Sequence, residues 1–210
     1  MLVIFDCDGV LVDSETLAAM VFSNCLKAVN IDLDAKDCYE KFRGHTLDYC
    51  KTWLEERYPK LPTNFFHKLE TETEKTFSTS LQAVAGIERN LQLLQKNNIS
   101  FCVASNGGHK KIEHSLSITG LLQYFPSARF SREDVNKGKP APDLFLYAAE
   151  VMGVPAAKVT VVEDSFTGVT AALEAGMNVL AYQAHESQLK LPPNVLTFKK
   201  MDELKDLLEI

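Results

Sequence analysis

Leu2-Val3-Ile4-Phe5 runs without a break into Asp6-Cys7-Asp8-Gly9-Val10-Leu11-Val12-Asp13-Ser14. The first four residues form a short continuous apolar run of the kind found in a strand buried on both faces. Three later runs share that character: Phe101-Cys102-Val103-Ala104, Val159-Thr160-Val161-Val162 and Val179-Leu180-Ala181-Tyr182. Between them apolar residues recur at helical spacing, at Ile87, Leu91 and Leu94, at Leu144, Tyr147, Ala148 and Val151, and at Val169, Ala172 and Leu173. Gly153 and Gly176 stand where helix C-terminal caps belong. Strand alternating with helix predicts an α/β fold built on a mostly parallel sheet.

One stretch breaks the alternation. From about Glu15 to Ala83 no strand is convincing and helical signals follow one another. Leu17, Met20, Val21, Cys25 and Ala28 share one helical face, Pro59 and Pro62 punctuate the segment, and the polar run from Glu70 to Ser80 reads as a solvated helix. A helical block between the first and second strands predicts an insertion. The expected division is a core domain of residues 1–15 and 84–210 and a helical domain of residues 16–83.

With 210 residues the chain has room for one large domain or one domain with an insert. Its 46% hydrophobic and 24% charged residues exclude a disordered or fibrous chain. Acidic residues outnumber basic ones 28 to 22, a net charge of -6, so the basic surface of a nucleic-acid binder is missing. No apolar run approaches the roughly 18 residues of a membrane span, and Asp6 and Asp8 interrupt the first apolar stretch too early for a signal peptide. The expectation is a cytoplasmic protein, a monomer, with neither nucleic acid nor membrane as partner. Five cysteines without a C-x-x-C pair suggest buried, reduced thiols rather than disulfides or a zinc ribbon. Cys7, between two acidic residues, is a poor nucleophile because its thiolate is disfavoured there.

Ligands of parallel α/β sheets bind beyond the carboxyl ends of the strands. The residues following the apolar runs are polar: Asp6 and Asp8 after the first, Ser105-Asn106-Gly107-Gly108 after the second, Glu163-Asp164-Ser165 after Val159–Val162. A loop before a helix adds Lys137-Gly138-Lys139-Pro140-Ala141-Pro142-Asp143. Four carboxylates on one sheet edge repel one another, by about 4 kcal/mol per pair at 4 Å and an effective dielectric near 20. A cation must offset them, and an all-oxygen ligand set favours Mg²⁺ over zinc or copper. Asp6 and Asp8, one residue apart, fall on the same side of an extended segment. Such a pair can divide labour between nucleophile and general acid–base.

Asp6-Cys7-Asp8-Gly9-Val10-Leu11-Val12-Asp13-Ser14, Ser105-Asn106, Lys139-Pro140-Ala141-Pro142 and Glu163-Asp164-Ser165 resemble, in order, the four motifs of the haloacid dehalogenase superfamily. The resemblance covers the whole chain and implies a Rossmann-like core, with the helical insertion similar to that family's C1 cap. The layout resembles the branch of phosphoglycolate phosphatase, β-phosphoglucomutase and sugar-phosphate phosphatases, and within it the 6-phosphogluconate phosphatase-type enzymes. It implies a Mg²⁺-dependent phosphatase acting on a small phosphorylated metabolite, a sugar or sugar-acid phosphate. In the implied roles Asp6 forms an aspartyl-phosphate, and Asp8 protonates the leaving oxygen and then activates water. Ser105 and the backbone amide of Asn106 bind the phosphoryl group, and Lys139 balances charge. Asp6, the carbonyl of Asp8, and Asp164 hold Mg²⁺, with Glu163 ligating it directly or through water. Asp13 orients the loop after the first strand.

Phe42-Arg43-Gly44-His45-Thr46 resembles the cap loop that faces the substrate, which makes Arg43 the candidate for an anionic or hydroxylated substrate tail; the same residues also read as a helix end with a glycine stop. Ser165 and Thr167 read as helix caps, His109 and His114 as surface or helix-end residues, and Lys137 as a rival to Lys139. β-Phosphoglucomutase-like transfer is the second enzymatic reading; Leu47 and Ala18 depart from it, standing where it calls for an arginine and a histidine. A dehalogenase fits less well, because that branch lacks the carboxylate present here as Asp8. A non-catalytic phosphate-binding regulatory protein would keep the fold, yet no catalytic position is lost.

Overall fold

The computed structural model of the protein describes residues 1–42, 47–184, 191–193 and 195–210, position 48 through its backbone alone. In chain order the elements are β1 (Leu2–Phe5), α1 (Ser14–Lys27), α2 (Ala35–Phe42), α3 (Leu47–Arg57), α4 (Phe65–Ser80), α5 (Ile87–Lys96), β2 (Ser100–Ser105), α6 (His109–Ile118), β3 (Arg129–Ser131), α7 (Asp143–Val151), β4 (Val159–Glu163), α8 (Phe166–Glu174), β5 (Asn178–Tyr182), β6 (Leu196–Phe198) and α9 (Leu204–Leu207). They form two compact units, Met1–Val12 with Gln82–Ile210, and Asp13–Leu81. The first break lies N-terminal of residue 15 because Val12 and Ala83 bridge antiparallel and the Val84 N–H donates to the Leu11 carbonyl at 2.9 Å. Those bonds keep Val12 with the sheet, and α1 starts two residues later.

Six strands pair in parallel in the order β3-β2-β1-β4-β5-β6. All four residues of β1 are buried, as an apolar run flanked by strands on both sides requires. Leu2–Phe5 align with Ser100–Val103 on one side and Val159–Val162 on the other. The chain adds β2 and β3 to one flank of β1 and β4 to β6 to the other, so the carboxyl end of β1 is the point where the strand order reverses. Binding crevices of open α/β sheets open there. Asp6, Ser105 and Glu163, the residues at the ends of β1, β2 and β4, are therefore neighbours.

The three-residue strands β3 and β6 carry no readable signal in the sequence; they exist because β2 and β5 offer them a ladder. Helix α7 also differs from its expected face. Val151 is 55% exposed, whereas Phe145 is fully buried with Leu144, Ala148 and Ala149. Packing on β1, β2, β3 and α8 turns that stripe inward.

In the helical unit, Phe22, Leu26, Phe42, Cys50, Leu54, Phe65 and Leu69 belong to one buried cluster. The rings of Phe22 and Phe42 lie 4.6 Å apart, and Trp53 meets Phe42 edge-on at 5.5 Å. Helix α1 packs on both α2 and α4, so its buried residues spread over Ala19, Val21, Phe22, Ser23, Cys25 and Leu26, while Met20 and Ala28, placed on the apolar face by periodicity, are exposed. No residue between Glu70 and Ser80 is buried. The hydroxyls of Thr71, Thr73, Ser78 and Thr79 donate to carbonyls four residues back, so this polar stretch satisfies itself. Among the described residues no helix is long and apolar enough to cross a membrane, and all five cysteines are buried and unbridged.

Ile4 is fully buried at the centre of the sheet, and Leu146 on the outer side of α7 is 43% exposed. Ile4→Ala should lower the unfolding free energy by about 2–5 kcal/mol and Leu146→Ala by no more than about 0.5 kcal/mol, measured by urea denaturation. Equal losses would mean that the sheet centre is not where stability concentrates.

Candidate active site

The end of β1 sets the first two acidic residues. The Asp6 N–H donates to the Val162 carbonyl at 3.0 Å, carrying the pairing one residue past β1. The chain then closes a tight turn: Leu11 and Val12 both donate to the Cys7 carbonyl at 3.0 Å, and Gly9 donates to Val12 at 2.8 Å. Gly9 has φ of 81°, and a Cβ built there would overlap the Asp164 carboxylate. Glycine is thus required twice, for the backbone and for the approach of Asp164.

Lys139 lies at the centre of the site with its side chain 3% exposed. Its Nζ donates to Asp6 Oδ1 at 2.5 Å and to Glu163 Oε1 at 2.8 Å, and sits 4.7 Å from the centroid of the Phe145 ring. Lys137 is exposed, which leaves the buried position to Lys139. The Asn106 side chain acts as a second peptide group. Its Nδ2 donates to the Lys139 carbonyl at 3.0 Å, and its Oδ1 accepts from the Lys139 N–H at 2.9 Å. On the other side, Glu163 Oε2 accepts from the Ser165 N–H at 2.7 Å and from its hydroxyl at 2.9 Å. Ser165 also caps α8 by accepting from the Gly168 N–H at 3.0 Å, the role its sequence position suggests.

Electrostatics follow from this packing. Burial pushes the Asp6 carboxyl above the usual carboxylate range; Lys139 draws it back, and Glu163 and Asp8 add to the rise. For Lys139, burial favours the neutral amine, but Asp6 and Glu163 outweigh it and hold the ammonium above its ordinary value. Burial, reinforced by Asp8 and Asp6, raises the Cys7 thiol well above its normal value, which removes it as a nucleophile.

Ser105 is buried, and its Oγ accepts from the Gly107 N–H at 3.1 Å while keeping its own proton to donate. The loop is fastened from β3: Ser131 Oγ donates to the Gly107 carbonyl at 2.8 Å, the His109 N–H donates to Glu133 at 3.1 Å, and the His109 ring meets Asp134 at 2.8 Å. His109 is therefore a tether at the start of α6, and His114 is exposed farther along it. Two positions beyond His109, Lys111 reaches across and donates to Asp8 Oδ2 at 2.6 Å. Burial lowers the Lys111 ammonium, and the attraction of Asp8 more than reverses the effect. Asp8 Oδ1 is buried with no hydrogen-bond partner among the described residues. Lys111, Phe145 and the side-chain role of Asn106 escape a reading of motifs; the first-turn position of Lys111, on the helix after Ser105, is the signal that could have revealed it.

Among the described residues no three acidic, histidine or cysteine side chains already form a metal cage. The oxygen donors at this edge are the Asp6 carboxylate, the Asp164 carboxylate against Gly9 and the Asp8 carbonyl. One or two carboxylates completed by water and substrate is the usual protein share of a Mg²⁺ shell. Asp6, Asp8, Glu163 and Asp164 set four negative charges against the two ammonium groups of Lys139 and Lys111. Negative charge exceeds positive whether Asp8 is ionised or protonated, and the donors are all oxygen, so the residues fit a hard divalent cation such as Mg²⁺. Glu163, expected among the ligands, has both oxygens committed to Lys139 and Ser165. Arg43, with Gly44 and His45, lies outside the described residues.

The haloacid dehalogenase-like hydrolase family model matches residues 1–176. The chain is 32% identical to 6-phosphogluconate phosphatase of Escherichia coli, over 98% of this chain and 93% of that protein. It is 26% identical to hexitol phosphatase A of the same organism, over 96% and 91%. A hydrolase of this family from Deinococcus radiodurans, solved with bound phosphate and sodium, superposes with a TM-score of 0.89 at 26% identity, over 99% and 94% of the two chains.

A Cβ built on Gly168 would overlap the Glu163 carboxylate. Helix propensity alone would make Gly168→Ala stabilising by about 1 kcal/mol. Overpacking should reverse the sign, to a loss of about 1–3 kcal/mol, with a parallel loss of activity as Glu163 is displaced from Lys139. Urea denaturation decides between the two signs, and a stabilised, fully active variant would refute this placement of Glu163.

Proposed function

Because the chain belongs to the haloacid dehalogenase-like hydrolases and is a phosphomonoesterase of that family, we propose that it hydrolyses a small phosphorylated sugar or sugar acid, with Mg²⁺, through an aspartyl-phosphate on Asp6. The observation that carries this reading is the Asp6 carboxylate held by the buried Lys139 ammonium, with a second carboxylate, Asp8, two residues on and held separately by Lys111. Such a pair can supply a nucleophile and a general acid from one turn of chain.

In the first step the Asp6 carboxylate attacks phosphorus, the ester P–O bond breaks, and Asp8 in its carboxylic-acid form gives its proton to the departing alcohol. In the second, the Asp8 carboxylate takes a proton from water as the water oxygen bonds to phosphorus and the bond from Asp6 to phosphorus breaks. Inorganic phosphate leaves and Asp8 is again protonated. The Ser105 hydroxyl and the Asn106 backbone amide, in the loop before α6, would donate to phosphoryl oxygens. Lys139 balances the charge between Asp6 and the phosphoryl group, while Asn106 and Glu163 keep it in position. Mg²⁺, held by Asp6, the Asp8 carbonyl and Asp164, would neutralise phosphoryl charge.

The substrate class rests on similarity to 6-phosphogluconate phosphatase and hexitol phosphatase A, and the phosphate bound in the Deinococcus relative supports a phosphate-containing substrate. Leu47, where the transferase reading needs a charged anion clamp, is an exposed apolar residue, which favours hydrolysis.

A screen of sugar, sugar-acid and hexitol phosphates should find turnover that excess chelator abolishes and Mg²⁺ restores. Undiminished turnover in chelator would remove the metal from the reading. Asp6→Asn should eliminate phosphate release with the circular dichroism spectrum unchanged, because an amide is not an anionic nucleophile. Near-normal rates in that variant would exclude the covalent route.

A further inference from the structure

We propose that Lys111 is a positioning residue for Asp8, holding the general acid in the orientation from which it protonates the leaving alcohol; this rests on the phosphatase reading above. Among the described residues the one hydrogen bond on the Asp8 carboxylate comes from Lys111, at 2.6 Å, and the other carboxylate oxygen is buried without a partner. Lys139 cannot take over this task, since its ammonium is already shared between Asp6 and Glu163.

The base of Lys111 is firmly held. Helix α6 is fastened at its first residue by Glu133 to the His109 N–H and by Asp134 to the His109 ring, and the preceding loop by Ser131 to the Gly107 carbonyl. The Lys111 stem runs beside Gly107, where a built Cβ would lie 3.4 Å from Lys111 Cδ. A side chain with a fixed root and a guided stem delivers its ammonium to one place. The Lys111 side chain is 51% exposed and that of Asp8 is 22% exposed. An ion pair with its lysine side chain half exposed adds little to folding, so its effect falls on where the Asp8 carboxyl points. The balance of the step is unchanged: Asp8 loses one proton to the ester oxygen as that oxygen leaves phosphorus, and Lys111 keeps its own protons.

Help from a general acid matters in proportion to the basicity of the leaving group. Phenyl phosphate and 4-nitrophenyl phosphate have nearly the same shape, but nitrophenolate departs with much less need of a proton. Lys111→Met, which keeps length and removes charge, should lower kcat/KM for phenyl phosphate about 10–100-fold more than that for 4-nitrophenyl phosphate, within the range of acid–base assistance. Lys111→Arg should restore most of the phenyl phosphate rate. Equal falls on both esters, or none on either, would overturn the proposal, since a phosphate-holding or structural group does not distinguish leaving groups. Asp8→Asn serves as the control. A loss graded by leaving group in Asp8→Asn but not in Lys111→Met would sink the Lys111 inference alone. A flat response in Asp8→Asn would sink the acid role of Asp8, and the Lys111 inference with it.

Discussion

A lysine ammonium with a 3% exposed side chain, set between two carboxylates, is the interaction to which the rest of the core unit is arranged. A buried charge is tolerated only when paired with good geometry, and removing one partner of such a group is strongly destabilising. The neighbours meet that demand in detail. Asn106 binds the Lys139 backbone through both its donor and its acceptor. Ser165 fixes Glu163 from below and starts α8 with the same hydroxyl. The Phe145 ring closes the remaining side. The buried Asp6 carboxylate is kept beside a cation because the surrounding helices and strands hold both partners.

The sheet makes that arrangement possible. Pairing of β1 with both β2 and β4 brings three chain segments, far apart in sequence, to one edge. Each contributes a buried polar residue at the carboxyl end of its strand. Gly9 then lets the turn after β1 close against Asp164. The acidic pair is thereby split between two cations: Asp6 belongs to Lys139 and Asp8 to Lys111. Two neighbouring carboxylates can differ in chemistry when their surroundings differ, and here one is buried against a fixed ammonium while the other keeps a buried oxygen without a partner.

Much of the candidate site was legible in the sequence because polar groups at the ends of parallel strands appear as short polar runs directly after apolar ones. Asp6, Ser105 and Glu163 each announce themselves that way, and Lys139 is marked off from Lys137 by the Pro-Ala-Pro segment that follows it. Side-chain partnerships left no such mark. Asn106 was readable as a backbone amide in a loop but not as a clamp on a residue 33 positions away. Glu163 was readable as a ligand oxygen, though both of its oxygens face lysine and serine.

The sequence by itself determined the alternation of apolar strand and amphipathic helix, the helical insertion and the order in which the polar segments follow the strands, since these depend on local burial patterns of period two and near four. Tertiary structure alone decided which face of α1 and α7 is buried, that β3 and β6 exist at all, and that Lys111 meets Asp8. In each case the deciding partner is another element of the fold. A helix with two packing partners buries two faces, a three-residue strand forms only beside a ready ladder, and an ion pair spanning more than a hundred residues is created by the sheet that brings its ends together.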